Sequence, residues 1–146
     1  MLTDDVIARI QAQVPDFDSR VEGAGELAVL TRGGHVPNRT PAAFVIPLGL
    51  SAQPPKDATG VHHQPTAETI GVVIVVTVAN DARGAKAMPK VETLRDAVIS
   101  ALAGWTPASS TFAPFELTRA RLMSLNNGTI TYQVDFKINS YLRITP

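Results

Sequence analysis

The chain contains no cysteine. That absence removes disulfide frameworks, thiolate nucleophiles and cysteine-based zinc or iron–sulfur sites. An excess of charge is missing as well, since 13 basic side chains balance 13 acidic ones. A protein built to grip a nucleic-acid backbone carries a basic surplus, so that function class is disfavoured. Long hydrophobic runs are also lacking. The most apolar stretch, Ile70 to Ala79, is far shorter than the roughly 20 residues that cross a bilayer as a helix. Met1-Leu2-Thr3-Asp4-Asp5 is acidic where a secretory leader would be basic and then apolar. The expectation is a soluble protein made in a reducing cytoplasm, with no membrane partner. No internal repeat and no low-complexity tract is visible.

What is present suffices for a fold. The sequence has 146 residues, 45% hydrophobic and 18% charged. Such a chain buries a core without staples or metals and reads as one domain over residues 1–146.

An amphipathic helix is expected from Thr3 to Val14, with Leu2, Val6, Ile7, Ile10 and Val14 at helical spacing. Thr3 suits its cap, Asp4 and Asp5 its positive dipole end, and Pro15 its stop. Residues 20–22 and 27–30 read as short strands, and Arg32-Gly33-Gly34-His35 as a turn. Ala42 to Leu48 reads as a strand whose Pro47 places its end at an edge. Gly49 to Thr66, with Pro54, Pro55, Gly60 and Pro65, reads as a long loop.

Thr69 to Ala79 is the strongest strand signal. Ile70, Val72, Ile74, Val76 and Val78 alternate with Gly71, Val73, Val75, Thr77 and Ala79. Both faces are largely apolar, so this strand belongs in the middle of a sheet. After the polar stretch Asn80 to Lys86, Pro89 opens a second helix with Val91, Leu94, Val98, Leu102 and Trp105 on one stripe. Gly104 suits its end. A hairpin follows, from Leu117 to Leu125 and back through Asn126-Asn127-Gly128. In its second arm Ile130, Tyr132, Val134, Phe136 and Ile138 point inward, and Thr129, Thr131, Gln133, Asp135, Lys137 and Asn139 outward.

The order of elements predicts an α+β domain. It has a mainly antiparallel sheet of four to five strands and two helices packed on one face. Two helices cover one side only. Val73 and Val75 are therefore expected to be covered either by the long loop or by another subunit, which predicts a ring-like oligomer.

Chemical motifs are sparse. His35, His62 and His63 are the only histidines. His62-His63, with His35 or Asp57, is a candidate metal pair, but strand neighbours point to opposite sides and rarely ligate one ion. Arg32-Gly33-Gly34 lacks the strand–loop–helix spacing of a phosphate loop, and Ser109-Ser110-Thr111 has no recognisable nucleophile partner. No catalytic residue, metal or cofactor is assigned. Asp81 and Arg83 flank a turn, and Arg119 and Arg121 share one strand face. The ordinary use of Asp81 and Arg83 is an ion pair or a subunit contact, and Arg119 and Arg121 are expected to touch DNA in a channel or, in the reading that a chain with no basic excess favours, to pair with an acidic residue of the next protomer.

One stretch carries a resemblance. Asn80-Asp81-Ala82-Arg83-Gly84 is followed by Leu94-Arg95-Asp96-Ala97-Val98, by Leu102-Ala103-Gly104-Trp105-Thr106-Pro107, and by Tyr132-Gln133-Val134-Asp135-Phe136 in the hairpin. With the element order, residues 69–144 resemble the tail terminator (tail completion) proteins of long-tailed bacteriophages. The resemblance implies a non-enzymatic virion subunit at the neck-proximal end of the tail. It implies a six-fold ring that caps the tail tube, stops polymerisation and docks the head connector. Its partners would be further copies of itself, the major tail tube protein and head–tail connector proteins, with DNA passing through the channel. Residues 49–66 and 80–88 would supply contacts. His62, His63, Asp81, Arg83, Lys86, Arg119 and Arg121 are the candidate assembly residues. The competing readings are a head-completion or tail-tube subunit, and a small metal-binding enzyme using His62-His63.

Overall fold

The computed structural model describes residues 2–32, 39–55, 62–81, 83–107 and 113–144. Its elements in chain order are α1 (Leu2–Gln13), β1 (Val21–Gly23), α2 (Ala24–Arg32), β2 (Ala42–Ala52), β3 (His62–Thr77), α3 (Ala87–Leu102), β4 (Glu116–Asn126) and β5 (Thr129–Ile144). The five strands form one sheet in the order β1-β2-β3-β5-β4. Only β1 and β2 run parallel, and the other pairings are antiparallel. The α+β class therefore holds.

Alternation along β3 and β5 decides where the core lies. Ile70 stands opposite Phe136, Val72 opposite Val134, Ile74 opposite Tyr132 and Val76 opposite Ile130. Directly opposed residues share a face, so these eight line one side of the sheet. There they pack with Val6 and Ile10 of α1 and with Val91, Leu94, Val98 and Leu102 of α3. Fully burying one such aliphatic side chain contributes about 1.5–3 kcal/mol.

The punctuation follows residue chemistry. α3 ends where Gly104 takes φ 80°, the left-handed conformation in which glycine has no side chain to clash. Trp105 then stacks on Phe115 with ring centroids 5.9 Å apart, and Phe115 meets Phe136 edge-on at 6.4 Å. Asn127 and Gly128 have φ 50° and φ 80°, the two successive positive values that a tight hairpin of this hand requires.

Three expectations need correction. Residues 27–30 are not a strand but part of α2. A short apolar run does not distinguish the two by periodicity, and Ala24, Glu26, Leu27 and Ala28 are good helix formers. Residues 49–66 are not one long loop. β2 runs on to Ala52, β3 begins at His62, and the two pair as far as Ala52 opposite Thr66. Pro65 lies one residue past that last pair and ends the ladder: its oxygen accepts from Gln53 N at 3.0 Å, it has no N–H to return the bond, and Gln64 Nε2 donates to Gln53 O at 2.8 Å instead.

The third correction concerns the second face. Val73 and Val75 are 5% and 4% exposed within a single copy. They form a small cluster with Ala42 and Phe44, and Leu27 of α2 and Ile46 pack against it. The cover that was expected from a loop or a neighbour is supplied in part by α2. Gln133 and Asp135, expected to face water, are also buried on this side. His35, Asp57, the Gly33-Gly34 turn and Ser109-Ser110-Thr111 lie outside the described residues.

Candidate assembly surface

The polar centre of the second face is built around Asp135. Arg119 Nε donates to Asp135 Oδ2 at 3.2 Å, and Gln133 Nε2 donates to Asp135 Oδ1 at 2.8 Å. The Asp135 side chain is 6% exposed and that of Arg119 58%. Arg121, opposite Gln133, belongs to the same face and is exposed. At the margin Lys137 and Glu116 approach to 3.6 Å. Arg119 thus meets a carboxylate of its own chain, although partners on a neighbouring protomer were expected. The group is a satisfied ion pair at the sheet surface.

The other candidate residues separate. Asp81 is buried, and its carboxylate accepts from Lys86 N at 3.1 and 3.0 Å and from Ala87 N at 2.9 Å. It holds the first turn of α3, which consumes the carboxylate and takes it off the surface. Arg83 and Lys86 are exposed on the same connection. His62 and His63 both lie on β3, far along the sheet from Asp81 and beside the end of β5. His63 stacks on Tyr141 with ring centroids 4.7 Å apart. Among the described residues, no group of three or more His, Asp or Glu side chains is placed to hold a metal ion. Among the described groups, Arg95 is raised from its ordinary pKa, first by its hydrogen bond to Tyr132 and then by Asp96.

The apolar rim is not evident from the sequence pattern. Large hydrophobic side chains are exposed in two groups. Leu48, Leu50, Tyr141 and Leu142 lie on the part of the sheet towards which β2, β3 and β5 extend, and Leu117, Leu122, Met123 and Leu125 lie on β4. In β4 the register shifts between Leu117 and Arg119 and again between Leu122 and Ser124. These bulges destroy the period-two pattern, so leucines that share a face do not alternate in the sequence. A leucine-rich strand without alternation, beside one that alternates cleanly, is the signal that marks them. Among the described residues no helix is long and apolar enough to cross a membrane.

Comparison with known proteins agrees with the architecture. The phage tail terminator protein family matches residues 2–146. A search of curated proteins gives no match. Among solved structures, a chain described as "Virion of native gene transfer agent (GTA) particle" superposes with a TM-score of 0.61 at 13% identity, covering 94% of this chain and 92% of that one. At that identity the likeness is one of fold.

Proposed function

Since the chain belongs to the phage tail terminator protein family, and is thereby a phage tail structural protein, we propose that it forms the ring that ends the tail tube. The observation that carries this reading is the family match over essentially the whole chain, residues 2–146. In this role further copies close head to tail into a ring, with six-fold symmetry matching the tube. One ring surface accepts the last tube subunits. The other does not reproduce the tube surface, so growth stops, and it offers the docking surface for the head connector.

The composition supports passage of DNA rather than binding. Formal net charge is zero, so a channel made by this chain lacks the basic surplus that would hold a polyanion. The exposed large hydrophobic side chains grouped at the two edges of the sheet support assembly, because grouped apolar surface on a small protein ordinarily marks an interface. The reading is non-enzymatic.

Electron microscopy of the chain produced with its tail tube protein tests this. The expected images are short rings, and tubes of limited length with one modified end. Particles made without the chain should carry overlong tails that fail to join heads. If the chain alone grows into long tubes, it is a tube subunit and the reading fails.

A further inference from the structure

We infer that the ring closes through sheet edges, the outer edge of β4 in one copy pairing antiparallel with the outer edge of β2 in the next. This rests on the ring reading above and goes on to name the surface.

Among the described residues both edges are open. β1 pairs with β2 only at Ala43, Phe44 and Val45. From Ile46 to Ala52 β2 has no ladder on its outer side among the described residues, and β4 is the last strand at the other end of the sheet. Open edges are usually guarded by charge. Here β2 carries no charged residue between Ala42 and Ala52, and Leu122 to Asn126 of β4 carry none either. Both edges are bent by bulges, after Pro47 in β2 and at two points in β4. Such bends disfavour indiscriminate stacking and select a partner edge of matching curvature.

Strand direction selects a second copy as the occupant. β2, β3, β5 and β4 alternate in direction across the sheet. β4 therefore runs opposite to β2. A neighbour related by rotation about a ring axis presents its β2 to β4 in the antiparallel sense, so the alternation continues across the boundary. The apolar side chains agree. Leu117, Leu122 and Leu125 stand opposite Phe136, Tyr132 and Ile130, on the helix-covered face. Leu50 stands opposite Glu68, two residues from Ile70, which places it on that face too. The two sets lie on opposite edges of one sheet and cannot cover each other within a copy.

The register must be staggered. Leu117 lies level with Phe136, Ile70 and Pro47, but Leu122 lies level with Tyr132, Ile74, Ala43 and Val21, so in an unstaggered neighbour Leu122 would meet β1. Closing a sheet into a barrel requires strand tilt and a fixed stagger, which carries β4 along to the bare stretch of β2.

The absence of cysteine makes a clean test. Leu50→Cys protein is mixed with Leu117→Cys, Leu122→Cys or Leu125→Cys protein under oxidising conditions. A disulfide forms only where Cα atoms come within about 4.4–6.8 Å. The expected result is a covalent dimer from one or two adjacent mixtures, and a ladder of multimers when both cysteines sit in one chain. Self-crosslinking of a β4 variant with no mixed product shows a two-fold contact and overturns the inference. So does the absence of any chain-to-chain crosslink, including the case in which adding tube protein alone protects β4. Rings seen by microscopy without the ladder remove this inference and leave the ring reading standing, whereas absence of rings with and without tube protein removes that reading.

Discussion

Gly71 stands opposite Asp135 in the β3–β5 ladder, and its missing side chain is what allows the buried carboxylate to lie flat on the second face. A Cβ at Gly71 would come within 3.2 Å of Asp135 Oδ1, 3.3 Å of Gln133 Nε2 and 3.1 Å of Leu48 Cδ1. Leu48 is half exposed and can swing away, but the two polar atoms are bound to each other. Gly71→Ala is therefore expected to destabilise the protein by about 1 kcal/mol, because overpacking outweighs the entropy gained on removing a strand glycine. Urea unfolding measures it, and a stabilised variant would refute it.

The Asp135 group predicts an order of effects. Asp135→Ala leaves the buried Gln133 amide without its acceptor, at a cost of about 1–3 kcal/mol. Arg119→Ala removes a guanidinium that is 58% exposed, so solvent already screens the pair and the loss should be about 1 kcal/mol or less. Equal losses in chemical denaturation would show that the ion pair, rather than the buried hydrogen bond, carries the stability.

Asp81 predicts a purely structural effect. Its carboxylate is the acceptor for backbone N–H groups at the start of α3. Asp81→Ala should cost about 1–2 kcal/mol, and Asp81→Asn less. Thermal unfolding of the unassembled chain reads this. A variant with unchanged melting but lost assembly would return Asp81 to the contact surface.

Gly128 marks a position that admits no side chain. Its φ is 80°, and a Cβ there would collide with the Val78 carbonyl oxygen. The turn is tied to the end of β3 by Val78 N donating to Gly128 O at 3.0 Å. Gly128→Ala is expected to destabilise by more than about 1 kcal/mol, since strain and a backbone clash add. Hydrogen exchange should show the loss concentrated in β4, β5 and the start of α3.

These residues show what the sequence discloses and what it hides. The middle of β3 was legible because Ile70 to Val76 is a run of β-branched residues broken only by Gly71, and β5 because Ile130 to Ile138 alternates strictly. The Asn127-Gly128 turn and the Gly104 stop were legible because positive φ restricts residue choice. α2 was not legible, since its apolar residues span too few turns to show a period. The extension of β2 to Ala52 was hidden by Gly49 and the bulge after Pro47. The buried state of Gln133 and Asp135 was hidden because both are polar and would ordinarily face water, whereas here they satisfy each other and Arg119 closes over Asp135 from the neighbouring strand. The part of the apolar rim on β4 was hidden by the bulges of that strand.

Val73 decides between the two sources of cover for the second face. Because β3 is apolar on both faces, cover from the long loop or from a neighbouring copy was expected, yet Val73 is 5% exposed within one copy, beside Phe44 and Leu27. If its own chain provides the shield, Val73→Ala loses buried methyl groups in the isolated protein. The expected cost is about 1–2 kcal/mol, the lower part of the range for core truncation. That cost should be the same in dilute and concentrated samples. If a neighbour provides the shield, folding is linked to association, and the apparent loss must change with protein concentration. Denaturation curves at two concentrations separate the cases. A concentration-independent loss confines the interface to the rim of Leu48, Leu50, Leu117, Leu122 and Leu125, whereas a concentration-dependent one moves it onto the face of the sheet.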